Sequence, residues 1–285
     1  MPNVDPLEKI RTAAQQASPA LREVADWILR HSAQAATLGI VEIAKASGGS
    51  TASINRLARA AGFTGFAELR ARLAQEMRAV IDPIQRLREE KNHPQADSPA
   101  RDVAMACANL ERLYQENPPE TIRAAAQMLS TQGRIYILGF GLTAHVCNWL
   151  AYALTPYSYA VFTLTGAGGY EQSARGLTRI GPGDVLVAIS MPRYSATTIE
   201  LAHTARERGA RVLAIVDSPA APLAGEADLC LYAPAAHSVL SASLVSLQAL
   251  CEILFAEVLR QNPDAVALAV EHTDSITPYL TGPKP

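Results

Sequence analysis

The chain contains 285 residues, of which 49% are hydrophobic and 18% are charged, and its formal net charge is −2. These values predict a globular protein with enough residues for two domains. No apolar run approaches the roughly 18 residues of a membrane span, and the N-terminus lacks the pattern of a signal peptide. Four widely spaced cysteines without a C-x-x-C pair predict buried free thiols in a cytoplasmic protein and argue against a metal site. They are Cys107, Cys147, Cys230 and Cys251.

The first 90 or so residues predict a bundle of helices. Ser18-Pro19 is typical of a helix start, and apolar residues then recur at helical spacing. A short helix over 39–46 precedes a Ser-Gly-Gly break, after which Ser50 can cap a helix over 51–61. Thr64 is predicted to cap the helix that follows.

Two short helices joined by a glycine turn are the signature of a helix-turn-helix, whose second helix enters the DNA major groove. The charge distribution supports this, because the first 91 residues carry 13 basic and 10 acidic side chains and the remainder carry 12 and 17. Short polar side chains and arginines can read base edges or bind phosphate. The side chains predicted to contact DNA are Ser50, Thr51, Asn55, Arg56 and Arg59. An ordinary helical bundle is the alternative, because glycine turns between helices are common.

Three short motifs lie between positions 43 and 66: Ile-Ala at 43–44, Ser-Thr-Ala-Ser-Ile-Asn-Arg-Leu at 50–57, and Gly-Phe-Thr-Gly-Phe at 62–66. Together they resemble the N-terminal helix-turn-helix domain of RpiR-type (MurR/RpiR) bacterial transcriptional regulators. The resemblance implies binding to double-stranded operator DNA. The chain departs from the family pattern at Gly49, where valine is usual, and at Ser53, where threonine is usual. We expect both changes to loosen the packing of the turn.

A charged and breaker-rich segment over 82–94, which includes His93, divides the chain. The predicted organisation is a helix-turn-helix domain over 1–82, a linker and connecting helices over 83–133, an α/β domain over 134–262 and a C-terminal tail over 263–285. The connecting helices, over 99–116 and 118–130, are amphipathic. We expect them to cover one face of the sheet or a dimer surface.

Near-continuous apolar strands alternate with helices in the second half of the chain. Strands are predicted over 134–138, 160–164, 185–190, 212–216 and 229–232. Helices are predicted over 143–154, 170–177, 196–208, 221–227 and 238–260. This alternation is typical of a parallel five-stranded sheet covered by helices on both faces, a three-layer, flavodoxin-like α/β architecture. Ligands of such sheets bind at the carboxyl ends of the strands.

A Gly-Phe-Gly turn at 139–141 follows the first predicted strand and precedes a helix. Free N–H groups at a helix start, brought close by glycines, make a site for an anion such as phosphate. The spacing of Gly139, Gly141 and Ala144 also fits a dinucleotide-binding turn. That alternative needs an acidic residue at the tip of the second strand, and the first one after that strand is Glu171. We therefore predict no nicotinamide cofactor, and a tight turn without any ligand remains open.

A second polar loop follows the third strand, Ser-Met-Pro-Arg-Tyr-Ser-Ala-Thr-Thr at 190–198. Ser195 and Thr197 stand near the start of the next helix, where capping is the structural alternative to ligand contact. Arg193 adds a cation suited to phosphate or carboxylate. The residues predicted to bind an effector are Gly139, Gly141, Thr143, Ser190, Arg193, Tyr194, Ser195 and Thr197.

This half resembles a SIS (sugar isomerase) domain over about residues 120–260, through the turn at 139–144, Gly-Pro-Gly-Asp-Val at 181–185 and Gly-Ala-Arg-Val-Leu-Ala-Ile at 209–215. The resemblance implies a phosphosugar-binding fold, found both in RpiR-type regulators and in sugar-phosphate isomerases. The chain departs from the pattern at Thr143, where serine is usual, and in the second loop, where S-x-S-G-x-T is usual. Because Arg193 and Tyr194 replace part of that loop, the effector can be a sugar phosphate or another anionic metabolite such as an organic acid.

Isomerisation of a sugar phosphate would need a positioned base. The candidates are His145, Glu171, Glu200, His203 and His237, and no pair of them is set by sequence spacing. We therefore predict no catalytic residues and no cofactor, with a SIS enzyme as the alternative function. A SIS-type protein that acts through a protein partner is a third possibility.

The combined prediction is a cytoplasmic bacterial transcriptional regulator, not an enzyme, that binds double-stranded operator DNA and a small anionic metabolite. It is expected to be a homodimer or homotetramer with no membrane partner.

Overall fold

The computed structural model describes residues 6–15, 17–81, 83–92, 97–165 and 168–280. Asp82 and His93, in the predicted breaker-rich segment, lie outside the described residues. The described chain forms an N-terminal helical domain and a C-terminal three-layer α/β domain, which confirms the predicted fold class. The N-terminal helices are α1 (Pro6–Gln15), α2 (Pro19–Arg30), α3 (Ser32–Thr37), α4 (Ile40–Ser47), α5 (Thr51–Ala60) and α6 (Phe66–Ile81).

Helices α4 and α5 form the helix-turn-helix. The turn begins at Gly48, which has a left-handed φ of 68°. Ser50 caps α5 as predicted, because its Oγ accepts a hydrogen bond of 3.1 Å from the backbone N of Ser53. The inward side of α5 places Ile54 and Leu57 in an apolar core shared with the other helices of the domain. That core fixes which side of α5 remains exposed.

Helix α2 begins at Pro19 with Ser18 at its N-cap, as predicted, although Ser18 caps through its backbone carbonyl and makes no side-chain capping bond. Two other expectations about this domain are wrong. Thr64 donates from both its backbone N and its Oγ1 to Oε2 of Glu68, each over 2.7 Å, so it does not accept a bond as a cap would. Gly49 does not loosen the turn, because a Cβ there would lie 2.4 Å from Cγ2 of Val24. The side chain of Val24 already fills the space beside this glycine.

The two connecting helices predicted over 99–116 and 118–130 are present, and most of the segment predicted as a linker ahead of them is helical as well. The region over 83–133 contains α7 (Pro83–Asn92), α8 (Ser98–Glu116) and α9 (Pro119–Leu129). Pro83 does not break the chain, because a proline in the first turn of a helix costs no hydrogen bond. Apolar side chains of α8 and α9 join the core beneath the sheet, so these helices cover one of its faces, as predicted. The buried amide of Asn117 ties the end of α8 to Tyr232 through two backbone hydrogen bonds of 2.7 and 2.8 Å.

The sheet contains five parallel strands in the order β2-β1-β3-β4-β5. The strands are β1 (Arg134–Leu138), β2 (Ala160–Thr163), β3 (Val185–Ser190), β4 (Arg211–Val216) and β5 (Leu229–Tyr232), and α10 (Thr143–Leu154), α11 (Gly169–Gly176) and α12 (Ala196–Glu207) connect the first four. A 3-10 helix, Pro222–Glu226, replaces the α-helix predicted over 221–227. Alternate strand residues enter opposite cores, one shared with α8, α9 and α10, the other with α12.

The chain after β5 differs most from its prediction. The helix predicted over 238–260 corresponds to α13 (Val245–Gln261), which begins seven residues later than predicted. Nδ1 of His237 accepts hydrogen bonds from the backbone N of Val239 and of Leu240, at 3.0 and 3.1 Å, which closes a turn where a helix was expected. The tail predicted over 263–285 contains a further helix, α14 (Ala265–Leu280), among its described residues.

Replacing Asp184 with asparagine is expected to lower the free energy of unfolding by about 2 kcal/mol, because the buried carboxylate accepts bonds from Gly181 and from the backbone and guanidinium of Arg134. Burial alone would raise the pKa of Asp184, but these hydrogen bonds outweigh it and hold the pKa below its ordinary value. The stabilisation is therefore present above the ordinary pKa of a carboxyl group and is lost as pH falls through the lowered one. Urea unfolding at pH 7 and pH 3 measures both effects.

The matched control is Asp264→Asn, at an exposed carboxylate ahead of α14. Equal unfolding midpoints for Asp184→Asn and the wild type at pH 7 would contradict the prediction.

Candidate effector pocket and nucleic-acid interface

The carboxyl ends of β1 and β3 lie side by side, with Leu138 paired to Ala188. From β1 the chain continues to β2 at one edge of the sheet, and from β3 it continues to β4 in the opposite direction along the sheet. A crevice therefore opens between the two strand ends, as expected at the switch point of such a sheet. The pocket there has a cavity volume of about 100 Å³ and is open to solvent.

The first wall of the pocket is the turn at 139–143. Gly141 has a left-handed φ of 63°, which a glycine adopts without strain. Gly139 lies beneath the turn, where an added Cβ would sit 2.7 Å from both Sγ of Cys147 and Oγ1 of Thr143. Thr143 lines the pocket, and its Oγ1 donates to the carbonyl of Phe140 over 2.9 Å. Its oxygen lone pairs remain for a ligand that donates.

The second wall runs from Ser190 to the start of α12. Arg193 is exposed and has a φ of 67°, the one left-handed φ outside glycine in the described chain. Such a conformation costs about 1–2 kcal/mol for a residue with a Cβ, and strain of this kind is common at ligand sites. Ser195 lines the pocket and also caps α12, because its Oγ accepts a bond of 3.3 Å from the backbone N of Thr198.

Residues that the sequence did not predict complete the pocket. Ser241, Ala242 and Leu244 form a third wall, from the loop that was predicted as helix. Thr198 lies at the base, and its buried Oγ1 has no hydrogen-bond partner among the described residues. An unpaired buried hydroxyl is costly, so a polar ligand atom is its natural partner. The one sequence signal for Thr198 as a pocket residue is its position in the first turn of α12.

Five of the eight predicted effector residues line this pocket: Gly141, Thr143, Ser190, Arg193 and Ser195. The other three are not among its lining residues. Gly139 packs under the turn, and Thr197 is set about 100° around α12 from the inward Thr198. Tyr194 turns away, and its Oη donates to Oδ1 of Asp217 over 2.9 Å.

The pair formed by Tyr194 and Asp217 is partly buried behind the second wall. Burial raises the pKa of Asp217 to about 6, although the bond from Tyr194 opposes this rise. Burial, together with the charge of Asp217, also raises the pKa of Tyr194, which keeps that phenol protonated as a donor. The bond therefore links the pocket loop to the start of the segment after β4.

On the N-terminal domain, the outward side of α5 presents Thr51, Arg56 and Arg59 to solvent. The predicted contacts Ser50 and Asn55 have structural partners as well. Ser50 caps α5, and Oδ1 of Asn55 accepts the backbone N–H of Phe66 over 3.0 Å at the start of α6. Arg56 and Arg59 also bond, over 3.4 Å each, to Oγ of Ser53 and to the carbonyl of Thr64. Both side chains nevertheless remain exposed and positively charged, which makes them the clearest candidates for DNA contact on this helix.

None of the five candidate bases lines the pocket. His203 is paired with Glu226 and Glu207 on the surface, and Glu171 is paired with Arg175. The described residues contain no group of three or more metal-ligating side chains, and no described helix is long and apolar enough to cross a membrane. The four cysteines are free, and Cys107 is exposed, contrary to the prediction.

Comparison with known proteins assigns both halves of the chain. Residues 4–79 match the helix-turn-helix domain of the rpiR family, and residues 128–259 match the SIS domain. The chain belongs to the RpiR-type regulators. This RpiR-type protein is 28% identical over 229 residues to the HTH-type transcriptional regulator HexR of Pseudomonas aeruginosa, an alignment that covers 80% of the chain and 78% of HexR. Transcriptional regulation is its function.

Solved structures agree on the fold of the RpiR-type chain. The sugar isomerase domain of an RpiR transcription factor from Sphaerobacter thermophilus has a TM-score of 0.58 at 27% identity and covers 62% of this chain and 99% of that one. The NanR protein of Vibrio vulnificus, solved in complex with ManNAc-6P, has a TM-score of 0.58 at 20% identity and covers 96% of this chain and 98% of that one. At that identity, the NanR structure supports the fold alone.

The left-handed backbone of Arg193 can be compared with the usual loop of the SIS domain in RpiR-type proteins. Arg193 stands where the usual SIS loop has glycine, and it keeps the left-handed backbone that a glycine would adopt. The loop therefore combines a glycine-like backbone at residue 193 with a cation at the pocket.

Proposed function

We propose that α5 binds the major groove of double-stranded operator DNA and that the pocket between β1 and β3 binds a small anionic metabolite, either a sugar phosphate or an organic acid. DNA contact falls to the predicted set on α5, above all to Arg56 and Arg59. Effector contact falls to Gly141, Thr143, Ser190, Arg193, Ser195 and, in addition, Thr198 and Ser241. Such a regulator would act in the cytoplasm, where operator DNA lies.

The observation that carries the effector proposal is the start of α12. The free N–H groups and positive dipole end of this helix face a pocket with an exposed arginine beside it. The buried, unpaired hydroxyl of Thr198 lines the same pocket. An anion with several oxygens would satisfy all three groups at once, whereas an apolar ligand would leave Thr198 unpaired.

The enzyme alternative has less support. Among the side chains that line the pocket, none is a carboxylate or an imidazole, so none can move a proton beside a sugar carbonyl. We infer that the SIS domain serves as a sensor and not as an isomerase.

We also propose a homodimer. Val103 of α8, Val245 of α13 and the adjoining Leu240 expose apolar surface on the outer side of the α/β domain. Exposed apolar surface of this kind often marks a protein interface, and a two-fold dimer would match a palindromic operator. Sedimentation velocity measures the oligomeric state directly, and a monomer at every tested concentration would contradict the proposed dimer.

The test of DNA binding is fluorescence anisotropy with DNA from upstream of the gene, or with the tightest fragment selected from genomic DNA. Specific binding should survive non-specific competitor and fall steeply between low and moderate salt, since counterions are released at each phosphate contact. Turnover of a sugar phosphate, with no specific DNA bound at any salt, would instead favour the enzyme.

Replacing Thr198 with valine is expected to separate stability from binding. Removing the unpaired hydroxyl should raise the free energy of unfolding of the ligand-free protein by about 1 kcal/mol. Loss of its bond to the ligand should weaken binding of any anionic metabolite that the wild type binds by about 10-fold. Thermal unfolding and isothermal titration calorimetry measure the two effects.

Thr197→Val is the matched control, because Thr197 is adjacent but does not line the pocket. If Thr197→Val weakened ligand binding more than Thr198→Val, the assignment of Thr198 would be wrong.

A further inference from the structure

The third wall of the pocket is held by the helix that leaves the DNA-binding domain. Nη1 of Arg86 on α7 donates to the carbonyls of His237 and Leu240, at 3.1 and 2.9 Å. Leu240 directly precedes Ser241, which lines the pocket. A ligand that moves Ser241 must therefore either move Arg86 or break one of these bonds.

Arg86 is also placed to act on the DNA-binding domain. Helix α7 begins two residues after α6 ends, and α6 packs against both α3 and α5. A shift of α7 is therefore expected to move α6, which packs against α5, the helix predicted to contact DNA.

The second wall reaches the same domain by another route. Tyr194, in the pocket loop, is bonded to Asp217, which begins the segment 217–226. In that segment the carbonyl of Ala220 accepts a bond of 2.8 Å from Oγ of Ser32, at the start of α3. Gly225 lies against His31, so closely that a Cβ at 225 would be 3.2 Å from Nε2 of the imidazole. This is a packed junction between the domains.

We propose that these two junctions, Arg86 with the 237–240 turn and Ser32 with the 217–226 segment, couple the effector pocket to the DNA-binding domain. The inference rests on the proposed function, since it supposes that one domain binds DNA and that the pocket binds the effector. A ligand that bridges the second and third walls favours one spacing between them. The junctions convert that spacing into a preferred position of α3 and α7. Regulation then follows if DNA favours one of those positions.

Coupling between two sites is reciprocal, so DNA binding must alter the pocket walls even when no effector is present. This allows a test that does not require the effector to be known. Amide hydrogen exchange would be measured over 190–195, 217–226 and 235–244, with and without a saturating amount of the tightest genomic DNA fragment. In the wild type, DNA should change the exchange rates of these segments by at least about 5-fold, the lower end of typical coupling.

The test variant combines Arg86→Ala with Ser32→Ala, which removes the donors of both junctions. With DNA saturating, the amide exchange rates of its pocket segments should change by less than about 2-fold, while α5 remains protected from exchange by DNA. Arg88→Ala, at an exposed position on the same helix, should respond like the wild type.

The failures can be told apart. If the wild type binds no DNA, the proposed function fails and the inference fails with it. If the wild type binds DNA without any change at the pocket, or if the double variant responds as strongly as the wild type, the inference alone is overturned. A change lost in the double variant and kept in Arg88→Ala supports it.

Discussion

Replacing Arg56 and Arg59 together with alanine is expected to weaken binding of operator DNA by about 100-fold or more. Both guanidinium groups lie on the exposed side of α5, which the core of the domain holds outward. A guanidinium that reads guanine contributes about 1–3 kcal/mol, and one that binds phosphate contributes through counterion release. If both bind phosphate, the slope of log K against log salt should also become shallower by about 2. Fluorescence anisotropy over a salt series measures affinity and slope together.

The matched control removes two positive charges from the α/β domain, as Arg175→Ala with Arg260→Ala. Each of these arginines is exposed and makes a surface salt bridge on its own helix. Because net charge changes equally in both variants, a loss confined to Arg56 and Arg59 identifies contact with DNA. Equal losses in the two double variants would mean that only overall charge matters, and α5 would no longer be the assigned reading helix.

Replacing Arg193 with glycine is expected to weaken binding of an anionic effector by about 10- to 100-fold while leaving the fold intact. The lost interaction is a charge-assisted hydrogen bond, which contributes about 1.5–3 kcal/mol. Glycine relieves the left-handed backbone of residue 193, and its greater freedom in the unfolded chain offsets that gain. The free energy of unfolding should therefore change by less than about 1 kcal/mol. Calorimetry with a panel of sugar phosphates and organic acids, together with thermal unfolding, measures both.

Arg193→Lys is the control for charge without the planar guanidinium. It should bind the same ligand with intermediate affinity, because lysine retains the cation but cannot form two parallel bonds. If Arg193→Gly bound the effector as tightly as the wild type, Arg193 would not be an effector contact. The start of α12 would then be the remaining candidate for binding the anion.

The elements with clear periodicity could be predicted from the sequence almost to the residue. The sequence predicts all five strands, because each is an apolar run bounded by glycine or polar turns, and the three central strands, β1, β3 and β4, are buried on both faces. The helix-turn-helix was also found, since Gly48 and Ser50 mark the end of one helix and the start of the next. Local chemistry decides these features, and local chemistry is what a single sequence displays.

The errors lie where distant contacts decide the outcome. The stretch from Ser238 to Leu244 mixes serine with leucine, valine and alanine and is predicted as the start of a long helix. The bonds to Nδ1 of His237 form a turn there instead, and Asn109 and Arg86 donate to the carbonyls of Ala236 and Leu240. Helix α14 was missed because its sequence lacks an apolar stripe directed at the core, and most of its residues are exposed.

The predicted pocket was partly right for the same reason. Gly141, Thr143, Ser190, Arg193 and Ser195 lie at or shortly after the carboxyl ends of β1 and β3, so strand order alone brings them together. Ser241 lies more than forty residues after the start of α12, and only the folded chain brings it to the pocket. Tyr194 was predicted as a ligand contact, and its partner Asp217 could not be inferred from its position in the chain.

The unpaired Thr198 hydroxyl and the strained Arg193 backbone together suggest how the natural metabolite can be found. A bound anion would give the Thr198 hydroxyl a partner and the Arg193 guanidinium a counter-charge, and the pocket walls are continuous with the main core of the domain. A ligand at 100 times its dissociation constant would stabilise the native state by about 2.7 kcal/mol. A library of cellular metabolites can therefore be ranked by the melting temperature of the purified protein, and the compound that most delays melting is the first to try for release of DNA.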